Sequence, residues 1–509
     1  MYSDQTALLW RWMRAIWVGL FLASAARAAA PKAPHAPPAA GSTVVAAPAG
    51  GEVSKAAIYR PGSAAVAPGG PAVRLGLGPH LLVDDFLIQR STKLRRRVNV
   101  PARDPKIPNP IITGKGDRNF QPYVTVLRDP ATGRFRIWYG AATERQDMGA
   151  SHIGYKESAD GMRWPGPPRI LADPAPIQFG DSVLDEGPDF PRPQERYKLG
   201  WWKDGGLKIA VSADGLAWKP LRPHVVLRHN HDINNLFRDT LRDRYVATIS
   251  VFTAGPMWKG GRRVTMQSVS RNLLDWQKPW YVLTPDDRVD QGQTQFYAMN
   301  GHLIRGDLWI ALVKVLRDDL QALGTPRGAF GVGYTTLAWT RDGEHWLRDV
   351  EPFFSPDPRP DAWDHAHAWL DYQLPVGDEV FLYYGGYKSG HKMNRFEERQ
   401  IGLVRMPRDR YVSRDAGAEE GLLLTRPLVL AGSKLTLNAK VEGHLRVRLL
   451  DGAGKPLPGF DAADAQPIRG DGLALPVRWK GSLATLRGKP VQIEFALRNA
   501  QLYGFDLRE

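Results

Sequence analysis

The stretch Ser158-Ala159-Asp160-Gly161-Met162-Arg163-Trp164 returns as Ser212-Ala213-Asp214-Gly215-Leu216-Ala217-Trp218 and as Thr340-Arg341-Asp342-Gly343-Glu344-His345-Trp346. Ser270-Arg271-Asn272-Leu273-Leu274-Asp275-Trp276 is a degenerate fourth copy. Each follows a short β-prone run. A polar residue, Asp-Gly and a Trp at a fixed offset suit a tight hairpin: Gly accepts positive φ, Asp bonds within its own turn, and the indole caps the next strand. Repetition at this spacing predicts a propeller.

A second phrase interleaves with the first: Arg134-Phe135-Arg136-Ile137-Trp138-Tyr139, Arg196-Tyr197-Lys198-Leu199-Gly200-Trp201, Arg244-Tyr245-Val246-Ala247-Thr248-Ile249, Asp307-Leu308-Trp309-Ile310-Ala311-Leu312 and Glu379-Val380-Phe381-Leu382-Tyr383-Tyr384. In each unit an apolar strand precedes this one and a third strand ends in the hairpin. Units of roughly fifty to seventy residues match a four-stranded blade with loops. The fifth closes with Ile401-Gly402-Leu403-Val404-Arg405-Met406 and the hairpin Arg408-Asp409-Arg410-Tyr411. The reading is an all-β chain: a five-bladed β-propeller over 74–415 followed by a small β-sandwich over 416–509. The sandwich rests on alternating runs such as Lys434-Leu435-Thr436-Leu437-Asn438, Leu445-Arg446-Val447-Arg448-Leu449-Leu450 and Val491-Gln492-Ile493-Glu494-Phe495-Ala496-Leu497, with Asp451-Gly452-Ala453-Gly454 as a turn between them.

The N-terminus has a different character. Arg11 and Arg14 precede the apolar run Ala15-Ile16-Trp17-Val18-Gly19-Leu20-Phe21-Leu22, and Ala26-Arg27-Ala28 fits an A-x-A cleavage site. The run is short for a membrane span, so residues 1–28 read as a cleaved secretory signal, with an uncleaved anchor as the alternative. Residues 29–73, rich in Ala, Pro and Gly, lack the apolar content to fold and read as a disordered tether. The expected location is secreted or periplasmic, with no stable membrane insertion after cleavage. The 509 residues include no cysteine, which excludes disulfides, thiolate metal sites and Cys nucleophiles.

The net charge of +15 favours an acidic partner, such as a charged polysaccharide. The one dense basic run, Lys93-Leu94-Arg95-Arg96-Arg97, reads as a solvated edge that blocks strand pairing, and no nucleic-acid partner is expected.

In a propeller the inner strands converge on the axis, so the starts of those strands line a funnel. Here these starts are Asp117 to Tyr123, Asp181 to Glu186, His229 to Asn235, Asp290 to Tyr297 and Trp363 to Asp371, each with at least one carboxylate. Converging acids suit glycosidic cleavage, in which one carboxyl donates a proton and another acts as nucleophile or base. Asp181 and Asp232 fit best, each standing just before an apolar run. Asp117 is a further catalytic candidate, and Glu186 is the nearest proton donor, since burial raises a Glu pKa. Asn119, Gln121, Asn234, Asn235, Gln295, Tyr297, Asp364, His365 and His367 are the expected substrate contacts. His229 with His231, and His365 with His367, stand two residues apart; on a strand each pair faces one way, and with Asp232 or Asp364 each has the elements of a metal site. The reading with no metal and no cofactor assigns these histidines to sugar hydroxyls or loop carbonyls instead. The hairpin acids Asp160, Asp214 and Asp342 are structural. No G-x-S-x-G, H-E-x-x-H, Walker-type or dinucleotide-binding motif occurs.

The lead-in His80-Leu81-Leu82-Val83-Asp84-Asp85-Phe86-Leu87-Ile88, the stretch Asn109-Pro110-Ile111-Ile112, the Ser-x-Asp-Gly-x-x-Trp hairpins and Tyr383-Tyr384-Gly385-Gly386-Tyr387 together resemble the five-bladed propeller glycosidase superfamily, close to families 32 and 43. The late segments Thr425-Arg426-Pro427-Leu428 and Val477-Arg478-Trp479-Lys480-Gly481 resemble the C-terminal sandwich of its secreted bacterial members. The resemblance implies one acid from each of the first three blades: a base or nucleophile, a stabilising Asp and a Glu proton donor. Asp117 takes the first place and Asp181 the second. The third offers Asp232 rather than Glu, and the invertase-type Asn-Asp-Pro-Asn motif is absent. The expected function is therefore a secreted glycoside hydrolase acting on a poly- or oligosaccharide, with two alternatives: a non-catalytic carbohydrate-binding propeller, or a metal-dependent hydrolase using the His-x-His pairs.

Overall fold

The computed structural model describes residues 56–61, 71–142 and 150–509. The leader over 1–28 and most of the 29–73 tether lie outside the described residues. Four antiparallel meanders follow one another, their inner strands being Asn119–Arg128, Phe179–Asp185, Asn234–Asp239 and Thr294–Arg305. A fifth comprises His367–Val376, Glu379–Tyr387 and Gln400–Pro407. Its outer edge comes from upstream: Ala102 bridges Arg405, Ile112 bridges Ile401, and the Asn109 amide bonds both the N–H and the carbonyl of Leu403 at 2.8 Å. The ring thus closes by joining an early segment to the last unit, which prevents the first and last units from separating.

Five apolar cores sit one at each junction. Trp138 and Tyr155 meet Tyr197, Leu199 and Trp201 between units one and two. Leu207 and Ile209 meet Leu236 and Tyr245 between two and three, and Val246 and Val269 meet Phe296 and Trp309 between three and four. Ile310 and Leu337 meet Leu370 and Leu382 between four and five, and Tyr383 and Leu403 meet Val124 and Ile137 between five and one. Each sheet is covered on both faces, which is why strands such as Leu308–Gln321 begin as unbroken buried runs instead of alternating.

The repeated hairpin behaves alike in all four copies. Ser158, Ser212, Ser270 and Thr340 each end the third strand of their unit. Each hydroxyl accepts the N–H three residues on, and the Asp160, Asp214, Asn272 or Asp342 side chain accepts the next two. Gly161, Gly215 and Gly343 have φ of 73°, 75° and 71°, and Leu273 takes the same left-handed conformation at 67°. The carbonyls of these glycines receive side chains from the preceding unit: Tyr383 donates to Gly161 at 2.9 Å, Trp138 to Gly215 at 2.8 Å and Gln267 to Gly343 at 2.7 Å. The hairpin is therefore a staple between units as well as a turn. Tyr383→Phe keeps the ring and strands a buried carbonyl, so it is expected to cost about 1–2 kcal/mol in denaturant unfolding.

The C-terminal sheets are built around the paired long strands Lys434–Leu450 and Pro490–Arg508. Leu445, Val447 and Leu449 are buried while Arg446 and Arg448 are not, as the alternation predicts. Strands from the other end of the chain complete them: Val73–Leu75, Gly78–Leu81, Ile88–Thr92 and Arg95–Val98 all pair there, although the expected boundary put them with the propeller. The basic run does form an edge strand, with Lys93, Arg95 and Arg97 exposed, but Arg96 is turned inward. Arg95–Val98 pairs with Val412–Ala416, and Arg96 makes a two-pronged ion pair with Asp349 of the fourth unit at 2.8 and 3.0 Å. Ala56–Ile58, inside the expected tether, adds in parallel to Trp346–Arg348.

Candidate active site

At the starts of the five inner strands lies a largely aromatic floor: Phe120 and Tyr123, Phe179, Tyr297 and Trp369 from four units, Ile233 from the third, and Tyr387 from the neighbouring strand of the fifth. Tyr297 stacks on Trp369 with centroids 4.6 Å apart. Trp202 and Phe396 pack on its rim, half-buried.

Asp181 stands in this wall, 5% exposed. Gly140 of the first unit packs beside it: a Cβ there would crowd Gln121, 2.9 Å from its Cβ, and would lie in ordinary contact with Asp181 Oδ2 at 3.7 Å. Among the described residues, neither carboxylate oxygen has a hydrogen-bond partner. Burial, with a smaller contribution from the Asp173 charge, pushes its pKa up to about 8. At neutral pH this side chain therefore carries a proton it can give away. Asp173 is itself held by His152 at 2.6 Å.

Asp232 lies on the loop before the third inner strand, 26% exposed, with Oδ1 3.1 Å from His231 Nδ1. The other ring nitrogen, Nε2, accepts a hydrogen bond from Arg263 Nε at 3.0 Å. Arg263 also donates to Gln295 at 2.7 Å and pairs with Asp318 at 3.3 Å. Burial alone would raise Asp318, but its bond to His391 and the nearby Arg263 override this and hold it well below the usual carboxylate range. His391 is kept neutral, at about 4, mainly by burial, and so donates Nδ1–H to Asp318 at 3.3 Å.

Two expected catalytic acids do not join this group. Glu186 follows Asp185 at the far end of the second inner strand, several residues and roughly 15 Å along from Asp181 at ~3.3 Å per residue. There it accepts the Tyr245 hydroxyl and faces Arg238 at 3.5 Å and Lys198 at 3.9 Å, an arrangement that braces two units. Asp117 is spent on its own loop, accepting the Thr113 N–H at 2.8 Å and the Lys156 ammonium at 2.6 Å.

The amides divide. Asn119 donates to the Arg399 carbonyl at 2.9 Å, and Gln121 accepts from Arg399 at 2.7 Å. Among the described residues Asn234 leaves both amide atoms unpartnered, buried beside Gly180. Asn235 instead lines an axial cavity of about 190 Å³ further along the strands, with Thr125, Ser182, His302 and Tyr372. Asp364 is a structural ion, 2.9 Å from both Arg103 and the Tyr384 hydroxyl.

Neither histidine pair lies on one strand, so the same-facing arrangement expected from the two-residue spacing does not form. His229 and His231 are in a loop, and His365 precedes the strand that begins at His367. His365 has both ring nitrogens on carbonyls, of Asp357 at 2.8 Å and Leu323 at 2.7 Å. His229 turns Nδ1 to the Ser250 carbonyl at 3.1 Å and is kept neutral, at about 4, chiefly by burial. His367 is fully buried against Trp369, Tyr387 and His391. No group of three His, Asp or Glu side chains among the described residues is arranged to hold a metal ion.

Sequence reasoning passed over Arg263, Asp318, His391, Arg395 and Arg399. They come from the second-to-third-strand connections and their flanks, which open on the same face as the inner-strand starts. The basic and aromatic run His391-Lys392-Met393-Asn394-Arg395-Phe396 was the available signal.

No family model and no curated protein matches the chain. Among solved structures it is similar to a family 32 β-fructofuranosidase from Bombyx mori, with 12% identity, 82% of this chain and 94% of that one covered, and a TM-score of 0.37. It is similar to an exo-β-1,3-galactanase from Phanerochaete chrysosporium, with 10% identity, coverage of 78% and 99%, and a TM-score of 0.38. An N-acetylgalactosamine deacetylase from F. plautii shares 16% identity, with coverage of 66% and 96% and a TM-score of 0.40. Glycoside hydrolases recur among these neighbours. At such scores they carry no argument about activity, and the fold rests on the sheets and junction cores themselves.

Proposed function

We propose that the chain cleaves a glycosidic bond of a poly- or oligosaccharide at the funnel face. Asp181 gives its proton to the departing glycosidic oxygen, and Asp232 acts on the anomeric carbon, directly or through water. The C–O bond breaks, water supplies the hydroxyl to the sugar, and its remaining proton restores Asp181. What carries this reading is Asp181: a buried carboxyl, protonated at neutral pH and without a partner among the described residues, in an aromatic wall suited to sugar faces.

A binding propeller without turnover is the second reading. It is favoured by Gln121, Asn234 and Gln295, which put amides at inner-strand starts of units one, three and four. Asp181→Asn and Asp232→Asn separate the two. Both should abolish release of reducing sugar from a glycan panel while leaving glycan retention in affinity electrophoresis intact. Unchanged turnover in both variants would sink the catalytic assignment, and no turnover by the unaltered chain on any glycan it retains would favour the binding reading.

From the leader read over residues 1–28 we propose that this work is done outside the cytoplasm, in the periplasm or beyond. N-terminal sequencing of the exported chain should begin at Ala29, and a start at Met1 on membrane-bound protein would support the anchor instead.

A further inference from the structure

Among the described residues, two guanidinium groups in the funnel have no carboxylate partner. Arg399, 2% exposed, spends its donors on neutral acceptors: the Gln121 amide oxygen at 2.7 Å and the carbonyls of His391 at 2.9 Å and Phe120 at 3.3 Å. Its plane lies 4.9 Å from the centre of the Tyr387 ring. Arg395 is half-buried beside it and beside Tyr297, Tyr387 and Tyr123, and its Nε is buried with no acceptor among the described residues. Burial and the Arg399 charge both disfavour its charged form. Arg263, across the same floor, has Asp318; the buried carboxylate of the fifth inner strand, Asp371, is taken by Lys314 at 2.5 Å.

Two adjacent cations held in a half-dry aromatic site are unfavourable unless something anionic completes them. A guanidinium offers a planar fork that fits a carboxylate or phosphate with two parallel bonds. The aromatic floor beside it suits a pyranose face. A ring bearing its own acid group satisfies both features at once.

We propose that the funnel selects an anionic glycan, and that Arg395, supported by Arg399, binds the carboxylate of a uronic acid residue. This rests on the carbohydrate reading above and names the class of sugar. The net charge of +15 favours approach of the same class of polymer.

The test uses the full chain and Arg395→Gln on an array of uronate-containing polysaccharides, each beside its carboxyl-reduced form. The unaltered chain should bind at least one acidic glycan about tenfold or more tightly than its reduced form, weakening as salt rises. Arg395→Gln should lose that preference, keep its affinity for the reduced form, and melt no lower than the unaltered chain, because it removes an uncompensated charge. Equal binding of acidic and reduced forms overturns the proposal and leaves the carbohydrate reading standing. Binding of neither form on any glycan overturns both. Stabilisation by inorganic phosphate alone that disappears in Arg395→Gln, without preference for acidic glycans, assigns the site to a free anion and overturns the uronate. A lower melting temperature in Arg395→Gln shows that the counter-ion lies within the chain and also overturns it.

Discussion

Asp181→Asn is expected to lose between about a hundred- and ten-thousandfold in turnover, the usual contribution of a positioned general acid, and to gain stability at neutral pH. Both effects have one cause. The native fold holds the Asp181 proton up to about pH 8, whereas the unfolded chain releases it near the ordinary carboxylate value of 3.8. Between those values the native state binds more protons than the unfolded state, so this residue makes stability fall as pH rises from about 4 to about 8. The penalty is absent below the unfolded pKa and complete above the folded one. At pH 7 it amounts to roughly 4 kcal/mol at most, about three pKa units at 1.36 kcal/mol each. An amide of the same shape has no such proton to lose, so the variant should melt well above the parent at pH 7–8 and together with it near pH 4. The activity of the parent should show a basic limb near pH 8, where the donor is lost. A variant that loses turnover and also loses stability at pH 8 would show that the carboxyl is ionised and paired in the native state, and the donor role would fall with it.

What could be read from the sequence followed from how local the physics was. The turn bonds of the Ser-x-Asp-Gly phrase lie within six residues, so that part of its chemistry is visible in one line of sequence, and four copies locate the outer ends of four units; the bonds that staple it to the preceding unit are not. Leu273 shows the limit of that reading: it holds the glycine conformation without being glycine, because its side chain is buried in the core between units two and three. That Asp181 and Asp232 stand at inner-strand starts was also legible. The failures were of two kinds. Glu186 is close to Asp181 in sequence, but extended backbone carries it to the other end of the strand, where Tyr245 and Arg238 claim it. Residues 73–98 alternate as strands do, but pairing partners more than three hundred residues away cannot be read from alternation. The arginines of the funnel were missed because a search for acids at strand starts does not look at the other connections on the same face.

Asp371→Ala is expected to cost about 3–5 kcal/mol, the usual price of leaving a buried ion without its partner, against a total stability of about 5–15 kcal/mol for a typical domain. Asp371 is 2% exposed and Lys314 1%. One carboxylate oxygen takes the Lys314 ammonium at 2.5 Å and the Asn300 amide; the other takes the Val124 N–H at 2.6 Å. Val124 belongs to the first inner strand, Asn300 to the fourth and Asp371 to the fifth, so a single side chain ties three strands where the ring closes. Burial lowers the Lys314 pKa, and Asp371 is what opposes that fall. Without Asp371 the native lysine sheds its proton more readily than the unfolded one. The variant's deficit should therefore shrink as pH rises toward the ordinary lysine value of about 10.4. Lys314→Met should cost less, because the carboxylate keeps two N–H donors. Lys314→Met with Asp371→Leu should recover part of the loss, since an apolar pair avoids the desolvation of both ions. Urea unfolding of the four proteins closes a double-mutant cycle. A coupling near zero would mean that the junction cores alone hold the ring shut; a coupling of about 2 kcal/mol or more would make this carboxylate the polar clasp of the closure.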